Sequence, residues 1–153
     1  MTVVLDAIGF VRGGRVEATD DDWDRESCDI ELDSTRFDAS ALAGLDDFSH
    51  EEVVYQFHLV DEAAVVLGAR RPRGRTDWPL VGIFAQRGRV RPNRLGVSVC
   101  RVVAVAGTTV TVRGLDAIDG TPVLDLKPYL TGFAPRGEVR EPNWAREIMS
   151  SYW

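Results

Sequence analysis

The sequence predicts an all-β, mainly antiparallel fold: a small β-barrel with short peripheral helices and a C-terminal helix. Three observations predict it. The apolar runs are short, rich in Val, Ile and Thr, and several alternate at period two. Turn dipeptides recur between them at Gly13-Gly14, Gly107-Thr108 and Asp119-Gly120. Helical spacing with a start signal is clear only near the end of the chain. Short strands with frequent turns favour a barrel over a sandwich. A chain of 153 residues is expected to form one domain, residues 1–153, able to bury a core without disulfides or metal.

Taken in order, Thr2–Arg12 alternates loosely and reads as the first strand, closed by the glycine pair. Ala18–Ser27 is an acidic loop. Cys28–Leu32 alternates at period two and reads as a short strand. Ala39–Leu45 predicts a brief helix, with Asp38 or Ser40 near its N-cap and Gly44 near its end. Val53–Val60, rich in β-branched and aromatic residues, reads as a strand. Gly68–Pro79 is an Arg/Pro/Gly loop, and Val81–Gln86 a short apolar run that reads as a buried strand. Leu95–Ala106 is the strongest strand in the chain and turns through Gly107-Thr108 into Thr109–Leu115. After Pro142, Asn143–Tyr152 carries Trp144, Ile148 and Met149 at helical spacing.

An apolar fraction of 44% with 27% charged residues is that of a soluble globular chain rather than a disordered one. No apolar run approaches the roughly eighteen residues of a membrane-spanning helix, and the first residues lack the basic region of a signal peptide. Cys28 and Cys100 can in principle pair, but neither spacing nor size asks for it; both are expected as reduced, semi-buried thiols in a cytoplasmic protein. Zinc would need more ligands than these, and no metal is expected.

The net charge of −6 conceals an asymmetry. Glu17–Glu62 holds sixteen acidic residues against Arg25 and Arg36, whereas Gly68–Arg101 holds nine arginines against Asp77 alone. An arginine cluster can grip phosphates or carboxylates with bidentate forks, or it can offset the acidic surface. The charge density of Arg70–Arg94 argues for binding an acceptor rather than for folding. No Gly-x-Gly-x-x-Gly follows a strand, and no Walker A loop, Gly-x-Ser-x-Gly elbow or His-Glu-x-x-His is present. A nucleotide cofactor, if bound, is therefore not held by a Rossmann sheet.

Three ordered blocks carry a resemblance. Gly44-Leu-Asp-Asp-Phe-Ser-His50 continues to Tyr55-Gln-Phe-His58. Gly82-Ile-Phe-Ala-Gln-Arg87 leads into Arg91-Pro-Asn-Arg-Leu-Gly96. The third runs Leu115-Asp-Ala-Ile-Asp-Gly-Thr-Pro-Val-Leu-Asp-Leu-Lys-Pro-Tyr129. Over most of its length the chain is similar to the TsaA-like (TrmO) family of tRNA methyltransferases. That resemblance implies a barrel that binds S-adenosyl-L-methionine, and a homodimer with the cofactor near the subunit interface. It implies tRNA as partner, with methylation of N6 on the threonylcarbamoylated adenosine beside the anticodon. Family members often carry a Pro-Arg-Gln-type motif in the first long loop that helps hold the cofactor, and Ala18–Ser27 has none. Longer members add a C-terminal domain, and this sequence stops at Trp153.

On the cofactor side the resemblance points to His58, Arg87, Leu95, Gly96, Leu115, Asp116, Asp119, Gly120, Thr121 and Pro122. A lone His on a strand is otherwise as readily a structural residue, and His50 is expected to fix its turn by local hydrogen bonds. Arg87 suits a carboxylate or phosphate; its bland alternative is a pair with an acid of the third block. Leu95 and Gly96 would let an adenine ring approach the backbone. Asp119 either serves the turn or joins the backbone of Leu115–Pro122 in cradling the cofactor. On the substrate side stand Arg91, Asn93, Asp125, Lys127 and Tyr129. Asn93 is equally a turn former, and the last three form either a structural ion-pair cluster or the substrate face. No residue type identifies a general base. The readings open at this point are a tRNA methyltransferase, a methyltransferase with another small or nucleotide acceptor, and a noncatalytic ligand- or RNA-binding barrel.

Overall fold

The computed structural model describes Met1–Trp153 and contains a closed six-stranded barrel. Its strands are β1 (Gly9–Arg12), β2 (Ser27–Leu32), β3 (His50–Gln56), β6 (Leu95–Ala106), β7 (Thr109–Arg113) and β8 (Pro122–Pro128). Two further strands, β4 (Ala69–Arg70) and β5 (Val81–Gly82), pair with each other outside it. The barrel order is β1-β2-β7-β6-β3-β8, and every pairing is antiparallel. One helix, α1 (Asn143–Met149), follows Pro142, and single 3-10 turns occupy the loops. No helix is long and apolar enough to cross a membrane.

A barrel of six short strands is narrow enough to be filled by side chains alone. Inward positions alternate with outward ones, so β3 buries Glu51, Val53 and Tyr55 and leaves the residues between them half-buried. Val11, Ile30, Val53, Val110, Val112 and Val123 are fully buried, and Cys28 and Cys100 join the same core as free thiols. β-Branched side chains suit these pleated walls. Burial, then the carboxylates of Asp29, Glu26 and Glu51, pushes the Cys28 thiol up to about 12. Two irregularities, at Val102/Ala104 in β6 and at Val54/Tyr55 where β3 meets β8, supply the extra bend that closure requires.

Leu95–Ala106 forms as predicted from its alternation. The first strand is shorter than Thr2–Arg12: Ile8 still bonds Val123 and Asp33, but the exposed residues Met1–Asp6 make no backbone hydrogen bond to the barrel. The third strand begins at His50 and stops at Gln56; Phe57–Val60 turns instead, with the Val60 N–H on the Phe57 carbonyl at 3.2 Å. Val81–Gln86 is not a buried strand. Only Val81–Gly82 pairs, Ile83–Ala85 is a 3-10 turn, and Phe84 lies exposed. The Gln86 amide fixes that turn by donating to the Arg70 and Val81 carbonyls, each at 2.9 Å. Ala39–Leu42 is a 3-10 turn capped by Asp38, whose carboxylate accepts from the Ser40 N–H. The final helix ends at Met149, three residues before Tyr152.

Glu51 violates the apolar pattern of this interior. It is fully buried, faces Cys100 across the ladder, and both carboxylate oxygens lack a partner. Burial raises its pKa from the ordinary 4.5 to about 7. The native state therefore holds a proton that the unfolded chain releases, and stability falls as pH rises between those values. The loss approaches roughly 3 kcal/mol above pH 7. Glu51→Gln should raise the melting temperature at pH 8 and lose that advantage below about pH 4.5; thermal unfolding of both proteins across pH checks this.

Candidate functional site

The strand directions gather one set of loops at one end of the barrel. Tyr55 pairs with Gly96 and Val123, whereas Glu51, four residues earlier on β3, pairs with Cys100 and Pro128. The Tyr55 end therefore collects His58, the Arg87–Arg94 loop, the start of β6, the Gly114–Thr121 turn and the Gly13-Gly14 turn. The opposite end carries the 3-10 turns of residues 39–47 and a groove of about 440 Å³ between Leu42, Leu45, Phe48 and Leu126.

Asp116 organises the first end. Its Oδ1 accepts from the Tyr55 phenol at 2.8 Å and from the Ser98 hydroxyl, and its Oδ2 accepts from the Tyr152 phenol at 2.5 Å. Burial and then the Asp116 charge push both phenols well above the ordinary tyrosine range, so both remain donors. Arg87, whose Nη2 donates to the Val97 carbonyl at 2.5 Å, lies near enough to Tyr152 to oppose its upward shift. One carboxylate, three hydroxyls and one guanidinium thus stand together at the barrel mouth.

Adjacent loops are stapled to this cluster. Asp119 accepts the Gly13 N–H at 2.7 Å through Oδ1, joining the third motif block to the first turn. Arg15 stacks on the buried Trp23 ring at 3.9 Å, donates to Glu26 at 3.1 Å, and caps carbonyls of the acidic loop. Arg73 grips Asp21 with two bonds of 2.8 and 3.2 Å. That grip holds a strained loop, since Asp21 and Asp22 sit at φ 69° and 57°. The segment after α1 packs here too: the Asp22 and Trp23 N–H groups donate to the Ser151 and Tyr152 carbonyls, and the Trp78 indole donates to Glu147 at 2.6 Å.

The expected site residues divide accordingly. His58 is half-buried beside Gly120, where a Cβ would stand 3.8 Å from its Nε2, and burial lowers its pKa toward the neutral imidazole. Arg87, Asp116, Asp119 and Gly120 share the same mouth, with the half-buried Leu95 and Pro122 at its strand ends. Leu115 and Thr121 are buried; the Leu115 side chain belongs to the core, so only backbone remains for a ligand. Gly96 packs against Tyr55: a Cβ there would lie 2.4 Å from the Tyr55 ring. Asn93, at φ 62°, is the former of its turn, and Arg91 donates to the Gln86 carbonyl at 2.7 Å.

Asp125, Lys127 and Tyr129 do not join this cluster. Lys127 pairs with Asp125 as a local ion pair, and the Tyr129 N–H bonds the His50 carbonyl, five residues or roughly 17 Å along β3 from Tyr55. His50 makes the local bond expected of it, to Ser49 at 2.7 Å. Nor are the loop arginines reserved for an acceptor. Arg73 and Arg75 are paired with Asp21 and Asp77, and Arg71 donates to the Trp78 carbonyl at 2.5 Å. Arg87, Arg89, Arg91 and Arg94 bond only carbonyls and keep uncompensated charge. Sequence reasoning missed Tyr55, Ser98 and Arg15, and read Tyr152 only as part of an apolar terminal stripe. Tyr55 stands inside the first motif block, and Ser98 is the polar inward residue of an apolar strand; neither signal separates site from core without the fold.

The model of the tRNA-methyltransferase O N-terminal domain matches residues 20–134. The chain is 38% identical over 103 residues to a probable S-adenosyl-L-methionine-binding protein, VirR, of Rhizobium radiobacter, covering 67% of this chain and 56% of that protein. It is 33% identical over 102 residues to the tRNA (adenine(37)-N6)-methyltransferase of Homo sapiens, covering 67% of this chain and 23% of that one. The crystal structure of TrmO from Pseudomonas aeruginosa superposes with a TM-score of 0.72 at 28% identity, covering 92% of this chain and 62% of the other. The chain therefore spans little more than half the length of these relatives, and in the human case about a quarter.

Two substitutions probe the mouth. Gly96→Ala should lower the melting temperature by at least about 5 °C, because the new methyl overlaps the Tyr55 ring; Tyr55→Leu added to it should recover part of the loss. Arg73→Ala should cost about 1 kcal/mol by freeing the acidic loop, and should speed amide hydrogen exchange at Asp22 and Trp23.

Proposed function

The chain belongs to the tRNA-methyltransferase O family, and on that premise we propose that it transfers a methyl group from S-adenosyl-L-methionine to N6 of an adenosine in tRNA. The acceptor of this reading is the threonylcarbamoylated adenosine beside the anticodon, met in the cytoplasm. The observation that carries it is the convergence of the second and third motif blocks, with His58 of the first, at one barrel mouth. The groups present fit the cofactor. Arg87 offers a guanidinium for a carboxylate, Asp116 and Asp119 offer acceptors for ammonium or ribose hydroxyls, and the half-buried His58 can hydrogen-bond as neutral imidazole.

A bound sulfonium already activates its methyl group, so alignment of the acceptor accounts for most of the catalysis. The three hydroxyl donors fix the Asp116 carboxylate, and Gly120 at φ 80° opens the backbone before His58. With Asp116 engaged by three hydroxyl donors, Asp119, which accepts through Oδ1 alone, is the carboxylate of this pair left to take the proton leaving N6. Arg91 and Asn93 flank it on the acceptor side, and the uncompensated arginines of residues 87–94 suit phosphates in an otherwise acidic protein. Titration calorimetry should find one S-adenosyl-L-methionine site per chain. Nucleoside mass spectrometry of tRNA from a strain lacking the gene should show the unmethylated adenosine, restored by complementation. Absence of binding heat would remove the enzyme reading and leave a noncatalytic barrel.

The same reading includes a two-fold homodimer. The outer face of β6 presents Val97, Val99 and Val103, exposed at 37%, 39% and 55%, as an apolar surface for a second copy. The final segment makes its hydrogen bonds to its own barrel. Light scattering should report a dimer, and Val99→Asp with Val103→Lys should yield a folded monomer.

A further inference from the structure

Residues 143–153 lie outside the stretch matched by the family model, yet they reach the centre of the site. The segment is anchored at three places that do not involve Asp116: the Asp22 and Trp23 amides on its carbonyls at 2.9 and 3.0 Å, and the Trp78 indole on Glu147. These anchors deliver the Tyr152 phenol to Asp116 Oδ2 and set Tyr152 edge-on to Trp153, with ring centroids 4.9 Å apart. Two of the three anchors lie in the acidic loop Ala18–Ser27, and the third comes from Trp78.

We propose that this segment forms a wall of the cofactor site, with Tyr152 as a positioning residue that holds the Asp116 carboxylate toward the ligand. The inference rests on the reading that the mouth binds S-adenosyl-L-methionine. Tyr55 and Ser98 both address Oδ1 and Tyr152 addresses Oδ2, so loss of Tyr152 removes one of the three donors that hold the carboxylate's orientation. Asp116 is half-buried, and at a partly dry mouth a misdirected acceptor loses most of its bond to an ammonium or hydroxyl. The half-buried Tyr152 ring, beside the Arg87 guanidinium, adds a surface against which an adenine or methionine chain can pack.

The test is a double-mutant cycle in the full chain, read by calorimetry with S-adenosyl-L-methionine and S-adenosyl-L-homocysteine. Tyr152→Phe keeps the ring and removes the donor; it should melt within a few degrees of wild type and bind about tenfold more weakly. Asp116→Asn should weaken binding at least as much, and adding Tyr152→Phe to it should change affinity by less than twofold, because Tyr152 acts through Asp116. Arg146→Ala, on the exposed side of the helix, should bind as wild type does. Cofactor should also slow amide exchange in residues 150–153 and 22–23 of the wild type. Wild-type affinity in Tyr152→Phe, an additive cycle, or tighter binding after deletion of Ser150–Trp153 would overturn the proposal while leaving cofactor binding intact. Failure of the wild-type protein to bind either ligand would overturn the underlying reading and the proposal together.

Discussion

The placement of one phenol governs the Asp116 end of this barrel. Tyr55 is fully buried, and its ring occupies the space that Gly96 leaves on the facing strand. Its hydroxyl cannot reach water, so it must find an acceptor inside, and it finds Asp116. That bond, shared with Ser98, fixes the turn after β7 against β3 and β6. Everything at the mouth is referred to it: the Asp119 carboxylate to the Gly13 amide, the Gly120 backbone to His58, and Tyr152 to the remaining Asp116 oxygen.

Charge is distributed on the same principle of local satisfaction. The acidic loop and the Arg70–Arg75 stretch look opposed in sequence, but in space they neutralise each other through Arg73 and Asp21. Arg15 does the same from within the first turn and covers Trp23. The arginines of residues 87–94 are handled differently. Their guanidinium groups are oriented by carbonyls, which supply direction without cancelling charge. A net-negative protein thereby keeps an ordered cationic edge beside its acidic hub, which is the field a polyanionic acceptor would require.

The two ends of β3 illustrate contrasting uses of a buried polar group. At one end Tyr55 is satisfied and organises its surroundings. At the other, Glu51 is enclosed among the core residues with neither oxygen partnered, and it contributes a pH-dependent weakness instead of order. The groove near Leu42 and Phe48 adjoins that weaker end, away from the hydroxyl cluster.

Much of this was legible in the chain. Alternation in Leu95–Ala106, the turn at Gly107 and the Pro142 helix start are local rules, and the all-β barrel follows from short strands punctuated by such turns. The resemblance carried by the motif blocks points to Asp116, Asp119, Gly120, His58 and Arg87, and the fold brings these five to one mouth. Strand boundaries such as Gly9 and Gln56 depend on whether a partner exists across the ladder, which no local window contains. Lys127 and Tyr129 share a motif with Asp116, yet β8 carries them to the far end of the barrel. Tyr152 lies 36 residues beyond Asp116 and still donates to it. Sequence determined the elements, the turns and the chemical vocabulary; barrel closure decided which of those residues meet, because contact across a closed sheet is set by register and shear rather than by distance along the chain.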